Sequence, residues 1–230
     1  MLLPPTLVPY MGRRKCSFFY ACMNTSDTTP AQAPAQTTTN LRRRWWNSLE
    51  DQWKQAFSEA LWQQKEITEP TDEALQNLFS SKVLRIAGPR SFHPNVTPEL
   101  TNLSGIEQLS QLEILIISDH QIEELTTLRK LHNLRDVFVF NNRIRSLDGV
   151  ESLEKLEKLY VQNNRIESLQ PIENLLNISE LHIYNNQLLS LEGLKEHHAD
   201  SLYTFICMPN EHLRRRELLR VENQLGIRCK

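Results

Sequence analysis

A repeat of 22 residues constrains the fold of this chain more than any other feature of its sequence. Four consecutive rows begin at residues 112, 134, 156 and 178 and align without a gap. Apolar residues recur at the first, fourth and sixth places of each row, as in Leu134, Val137 and Val139. This alternation predicts a short strand, and later apolar residues three apart predict a 3₁₀-like return segment. One such unit cannot bury its apolar face alone, so the rows are expected to stack.

The ninth place of the rows is an asparagine in three of the four, and His120 occupies it in the first. An asparagine amide can satisfy backbone donors and acceptors that a sharp turn leaves unpaired. Two further segments continue the pattern, VLRIA at 83–87 before the rows and LYTFICMPN at 202–210 after them. The predicted structural turn asparagines are Asn142, Asn164, Asn186 and Asn210.

The pattern LxxLxLxxNxIxxLxxLxxLxx resembles the leucine-rich repeat family, in the 22-residue form known from bacterial internalins and from a regulatory subunit of a serine/threonine phosphatase. The resemblance covers about residues 78–210. It implies an α/β fold, a right-handed leucine-rich repeat solenoid in which parallel strands line a concave face. It says little about the partner.

A solenoid exposes its core at both ends, so we expect a cap at each. NSLEDQWKQAFSEALW at 47–62 predicts an amphipathic helix with Asn47 and Glu50 spaced as in a capping box, and TDEALQNLFS at 71–80 predicts a second helix. At the other end, Asn210 is the predicted N-cap of a helix that stops at Gly226. The alternative to capping is that the tryptophan-rich helix at 47–62 binds a partner.

The predicted organisation has four parts. They are a disordered leader and linker at 1–44, a helical N-terminal cap at 45–82, the leucine-rich repeat solenoid at 83–210 and a C-terminal capping helix at 211–230.

The N-terminal residues allow two interpretations of where the protein resides. The order RRK, CSFFYACM and a polar low-complexity tract resembles a bacterial lipoprotein leader with Cys22 as the lipidated residue. The apolar part is short, however, and Phe19-Tyr20-Ala21 is a poor processing signal. We expect a cytoplasmic protein with a disordered extension, and the alternative is an exported lipoprotein anchored at Cys22.

The search for chemistry yields no motif typical of catalysis, and the chain is predicted to be non-enzymatic, with no cofactor and no metal site. The pair His197-His198 lies in the irregular stretch HHAD and is expected in a solvated loop. Cys207 takes a core place and is expected to be a buried filler, with a bridge to Cys229 left open for an oxidising compartment. A net charge of -2 argues against nucleic acid as a partner, and no apolar run is long enough to span a membrane.

The fifth and seventh places of the rows should project from the concave side of the sheet, and they are rich in aromatic and apolar residues. The predicted partner-binding residues are Ile116, Phe138, Phe140, Tyr160, Gln162, His182 and Tyr184. Asp136, Lys158 and Glu180 border them with mixed charge. An aromatic centre with a polar border predicts a surface that binds a protein partner. The alternatives are a surface-anchored or secreted adhesin that binds a host protein or glycan, and rings that merely pack on one another. The protein is expected to be a monomer.

Overall fold

The computed structural model describes residues 34–230 of the chain, so residues 1–33 of the predicted leader and linker, with Cys16 and Cys22, lie outside the described residues. Six strands form one parallel sheet in which each strand pairs with the next one along the chain. The strands are β1 (Val83–Ala87), β2 (Ile114–Ser118), β3 (Asp136–Phe138), β4 (Lys158–Tyr160), β5 (Glu180–His182) and β6 (Thr204–Ile206). The α/β solenoid that the repeat predicts is thereby confirmed.

The 22-residue period places equivalent residues directly opposite one another. Val137 pairs with Leu159, and Leu159 pairs with Leu181. Because side chains alternate along a strand, the fourth and sixth places all enter one core, and the fifth place points away from it. The longer stretch of chain between β1 and β2 does not change this register, since Leu84 of β1 lies opposite Leu115 of β2.

The chain returns between strands through tight turns on the far side of the sheet. Three of these are 3₁₀ helices, at Ser104–Ile106, Thr126–Lys130 and Gln170–Ile172. Gly149 has a φ of 114°, and a Cβ there would lie 2.2 Å from the Leu125 carbonyl oxygen. Only glycine allows adjacent turns to approach so closely at this place.

Three helices precede the sheet: α1 (Pro34–Ser48), α2 (Asp51–Trp62) and α3 (Asp72–Ser80). Trp45, Trp46 and Trp53 are buried and belong to the same apolar cluster as the strand residues. The Trp53 ring lies against Gly105, where a Cβ would come within 2.1 Å of Trp53 Cδ2. Most of the tryptophan surface is therefore used inside the molecule.

The N-terminal helices differ from the sequence prediction in three respects. Helix α1 begins inside the tract expected to be a linker up to residue 44. The predicted capping box is wrong, because Asn47 lies within α1 and α2 starts after Glu50 without a side-chain cap. Leu61, expected on the buried face, is 37% exposed.

Contacts between helices explain why α1 extends further than its sequence suggests. The Arg43 guanidinium pairs with Asp72 of α3 at 2.7 Å, and the Arg42 guanidinium lies 5.5 Å from the centre of the Phe79 ring. The arginines at 42 and 43 thus contact α3 from α1, whereas the sequence predicted a disordered linker for both.

The C-terminal region contains α4 (His198–Ser201) and α5 (Arg215–Arg220), which continues as a π-helical turn at Val221–Leu225 and ends at Gly226. The predicted N-cap Asn210 is wrong, since Arg214 precedes α5 and Asn210 is buried under β6.

His198 also corrects the sequence prediction, because it is fully buried and not part of a solvated loop. Its Nδ1 accepts a hydrogen bond from the Lys195 amide at 3.0 Å, and its Nε2 lies 3.2 Å from the Ile172 carbonyl oxygen. Burial lowers the pKa of His198, so the neutral ring is the form that the fold accommodates.

Candidate functional site

The predicted turn asparagines form a buried ladder beneath the concave face. Asn164 shows the arrangement: its amide nitrogen donates to the Val139 and Val161 carbonyls at 3.0 Å, and its side-chain oxygen accepts from the Ile144 amide at 3.0 Å. Each asparagine thus joins the coil before it to its own coil. Equivalent bonds are made by Asn142 and Asn186, and Asn210 accepts from the Asn186 amide at 2.8 Å.

His120 takes the place of the asparagine in the first row and, like it, accepts a hydrogen bond from a backbone amide. It is fully buried, and its Nδ1 accepts a hydrogen bond from the Leu100 amide at 3.1 Å. Burial lowers the pKa of His120 to about 4, and the nearby Ile86 carbonyl only partly offsets this. The ring is therefore neutral near pH 7 and acts as an acceptor, as the asparagine oxygen does in the other rows.

A second polar ladder runs along the rim of the concave face and was not predicted. Asn141, Asn163 and Asn185 have φ values of 55°, 58° and 54°, and Asp119 has 64°. Each asparagine side chain donates to the residue one repeat earlier, with Asn163 Nδ2 to Asn141 Oδ1 at 2.6 Å and Asn141 Nδ2 to Asp119 Oδ1 at 2.7 Å, and Asp119 only accepts. Asparagine tolerates the left-handed conformation, which is the sequence signal that could have located this ladder.

The fifth place carries a continuous stack of rings across three strands. The Phe138 and Tyr160 centroids are 4.8 Å apart in an edge-to-face arrangement, and the Tyr160 and His182 centroids are 3.8 Å apart with nearly parallel rings. All three side chains are half-buried. This stack, Phe138-Tyr160-His182, forms a ridge on the sheet, with Ile116 at one end.

The border that the sequence assigned to mixed charges is largely paired within itself. Lys158 Nζ lies 2.8 Å from Glu180, and the Tyr160 hydroxyl donates to the same carboxylate at 2.5 Å. The hydrogen bond from Lys158 holds the pKa of Glu180 below its ordinary value, whereas burial raises the pKa of Asp136. Burial and the bond to Glu180 raise the pKa of Tyr160 to about 12, so the phenol stays protonated.

The seventh place adds Phe140, Gln162 and Tyr184 beside the ridge, all half-buried. Two polar atoms of this face, Gln162 Oε1 and His182 Nε2, are buried and make no hydrogen bond within residues 34–230. Unpaired buried polar groups destabilise the isolated protein, so these two atoms would gain from a hydrogen-bond partner on another molecule.

Sequence reasoning missed two arginines beside the ridge. Arg143 and Arg165 occupy the tenth place of adjacent repeats, next to the rim asparagines. In the part of the chain that the structure describes, neither forms an ion pair, whereas Lys130, Arg135 and Lys158 each pair with an acid one repeat away. The guanidinium groups of Arg143 and Arg165 are therefore able to pair with carboxylates of another molecule.

Other features of the described residues offer weaker sites. A cavity of about 710 Å³ lies between the end of α2 and the proline-containing loop at 88–100, lined in part by Gln63, Pro94 and Val96. No group of three or more metal-binding side chains occurs in residues 34–230. Within the same residues, no helix is long and apolar enough to cross a membrane.

Comparison with known proteins agrees with this geometry. A family model for leucine-rich repeats in two copies matches residues 132–174 and 154–196. An internalin from Listeria monocytogenes is 25% identical with a TM-score of 0.50, and the match covers 57% of this chain and 38% of the internalin. No curated protein sequence matches this chain significantly.

Two other solved structures show weaker likeness. A leucine-rich repeat protein of Leptospira interrogans is 26% identical, with a TM-score of 0.42 and coverage of 49% of this chain and 29% of that one. The leucine-rich repeat ectodomain of a receptor kinase from Arabidopsis thaliana is 24% identical, with a TM-score of 0.46 and coverage of 56% and 69%.

The strand register, the asparagine ladder and the matching family model define a solenoid repeat protein. More specifically, residues 132–196 match the leucine-rich repeat family, and one parallel sheet continues this repeat from β1 to β6. Proteins of this class are generally modules for protein–protein interaction and are typically non-enzymatic.

Proposed function

We propose that this leucine-rich repeat protein binds another protein on its concave face and carries out no catalysis itself. The observation that carries the proposal is the ridge formed by Phe138, Tyr160 and His182, which spans three strands and is only half-buried. Aromatic residues surrounded by polar groups are typical of the centre of a protein interface. Phe140, Gln162, Tyr184 and Ile116 complete the proposed contact surface.

The ring geometry favours a protein over a glycan as the partner. A sugar that stacks on an aromatic ring needs an open ring face. Here one face of Tyr160 is covered by His182 at 3.8 Å, and Phe138 meets the ring at 4.8 Å. The ridge therefore presents mainly ring edges and methylene groups, which suit apolar side chains of another protein.

The unpaired polar groups add to this argument. Gln162 Oε1 and His182 Nε2 make no hydrogen bond in the described protein, so a partner that supplies a donor or acceptor, after a small side-chain rotation, gains free energy there. Arg143 and Arg165 offer two free cations at the rim. A partner with carboxylates beside an apolar patch matches both features.

The cellular location and the oligomeric state of the protein are also part of the proposed function. We propose that the protein is a monomer. We also propose that it is cytoplasmic, because Phe19-Tyr20-Ala21 before Cys22 is a poor lipoprotein processing signal. Intact-mass analysis of protein from its own cells tests this assignment. A mature chain that starts at Cys22 and carries lipid would contradict it and would favour a surface adhesin.

The experiment that tests the binding face is a crosslinking pull-down from extract of the source cells. It compares the wild type with a Phe138→Ser, Tyr160→Ser, Tyr184→Ser triple variant. The captured protein is identified by mass spectrometry, produced separately and titrated against each variant. Loss of binding in the triple variant is the expected result, and Tyr160→Ala alone should weaken binding by about 1–4 kcal/mol.

The matched control removes exposed apolar side chains elsewhere. Leu176 and Leu189 are each 61% exposed and lie off the concave face, so the Leu176→Ser, Leu189→Ser variant should bind like the wild type. Equal binding by the triple variant, shown by circular dichroism to be folded, would place the working surface elsewhere. A large drop in its melting temperature would instead show that the rings serve the core.

A further inference from the structure

The segment after the π-helical turn lies along the outer edge of β6. The Lys230 amide donates to the Phe205 carbonyl at 3.0 Å, and the Cys207 amide donates to the Lys230 carbonyl at 3.0 Å. Ile227 is buried, and Cys229 packs against the apolar core. Residues 227–230 thereby cover a strand edge that would otherwise expose unpaired backbone groups.

This arrangement brings two cysteines together at the closed end of the solenoid. Cys207 occupies the sixth place of the last repeat and is fully buried, whereas Cys229 is half-buried, and both are free thiols. The interaction with Cys229, together with burial, raises the pKa of Cys207, and the same interaction lowers the pKa of Cys229. The more accessible sulfur is thus also the more readily ionised one.

We propose that Cys207 and Cys229 are a modification site, at which exchange with a small-molecule disulfide such as oxidised glutathione forms a reversible bond between β6 and residues 227–230. The bond locks the C-terminal cap when such a disulfide is abundant and releases it when thiols predominate. This inference does not depend on which surface binds a partner.

The exchange proceeds in two balanced steps. The Cys229 thiolate attacks one sulfur of oxidised glutathione, forms a mixed disulfide and expels one glutathione thiolate. Cys207 then gives its proton to solvent and attacks the Cys229 sulfur, which expels the second glutathione as a thiolate. The two protein thiols are oxidised to one disulfide, and one glutathione disulfide is reduced to two thiols.

The expected consequence is a change in stability without a change of fold. Because the Lys230 backbone is hydrogen-bonded to both Phe205 and Cys207, and Cys229 packs against the core that contains Cys207, we expect the bond to form without displacement of the C-terminal segment. It closes a loop of roughly 20 residues in the unfolded chain, which should raise the melting temperature by about 6–12 °C for a protein of this size.

The test uses the full chain with Cys16→Ser and Cys22→Ser, so that only the two cysteines of interest remain. The protein is incubated with oxidised glutathione, quenched with iodoacetamide, digested with trypsin and analysed by mass spectrometry. The expected product is a disulfide between the peptide containing Cys207 and the dipeptide Cys229-Lys230. Melting curves before and after oxidation, and after added dithiothreitol, measure the reversible gain in stability.

Two single variants in the same background separate the roles of the sulfurs. Cys207→Ala should stop at a stable glutathione adduct on Cys229, and Cys229→Ser should leave Cys207 unmodified while the protein is folded. A lasting adduct on Cys229 when Cys207 is present would overturn the proposal. So would two freely alkylated cysteines after oxidation, or a disulfide that leaves the melting temperature unchanged.

Discussion

Replacement of His120 by asparagine tests the claim that this buried ring is neutral and takes the role of a ladder asparagine. In the folded protein the pKa of His120 is about 4, below its ordinary value of 6.5, because burial disfavours the charged ring. The unfolded chain therefore binds a proton at a higher pH than the folded chain does. The contribution of neutral His120 to the free energy of unfolding is fully present above pH 6.5 and is lost as the pH falls from 6.5 towards 4.

The magnitude follows from the two pKa values. At pH 5 a group with a pKa of about 6.5 in the unfolded chain and about 4 in the folded chain lowers the free energy of unfolding by about 2 kcal/mol relative to neutral pH. His120→Asn has no such group, while its side-chain oxygen can still accept from the Leu100 amide. We therefore expect the variant to lose about 2 kcal/mol less than the wild type on acidification.

Urea unfolding at about pH 7.5 and about pH 5, followed by circular dichroism, measures this difference directly. Carboxylates and the other histidines titrate equally in both proteins, so the comparison isolates His120. The exposed His132 lies in the same repeat and provides a control, because His132→Asn should follow the wild type at both pH values. Equal acid losses in the wild type and His120→Asn would refute the argument that burial holds His120 neutral.

Further substitutions probe the ladder and the N-terminal cap. Asn164→Ala removes three buried hydrogen bonds and should lower the free energy of unfolding by about 2–4 kcal/mol. Asn174→Ala, at an exposed place, is the control and should change the free energy of unfolding by less than about 0.5 kcal/mol. A melting temperature equal to wild type for Asn164→Ala would contradict the assignment. Gly105→Ala places a Cβ against the Trp53 ring and should destabilise by about 2–3 kcal/mol in urea titration. Gly226→Ala meets no atom within 4 Å and should lose only about 1 kcal/mol from its left-handed backbone, so similar losses at both glycines would argue against tight packing at Trp53.

Much of the candidate site could be located from periodicity, because one place in the row corresponds to one column on the sheet. Periodicity alone predicts that Phe138, Tyr160 and His182 lie side by side, and the pairing of β3, β4 and β5 places them so. Periodicity carries no information about ring angles or about which charges neutralise one another. The pairing of Lys158 with Glu180 therefore emerged only from the structure.

The sequence alone determined the solenoid, since a 22-residue spacing of apolar residues and turn asparagines leaves few other ways to bury every row. The tertiary structure decided the ends. Helix α1 is held by Trp45, Trp46 and the ion pair from Arg43 to Asp72, contacts between residues far apart in the chain that no local pattern reveals. The joining of residues 227–230 to β6 arises in the same way. The sequence of a repeat predicts its packing because each repeat contacts another of similar sequence. A cap contacts a surface whose sequence differs from its own, so its packing cannot be predicted in this way.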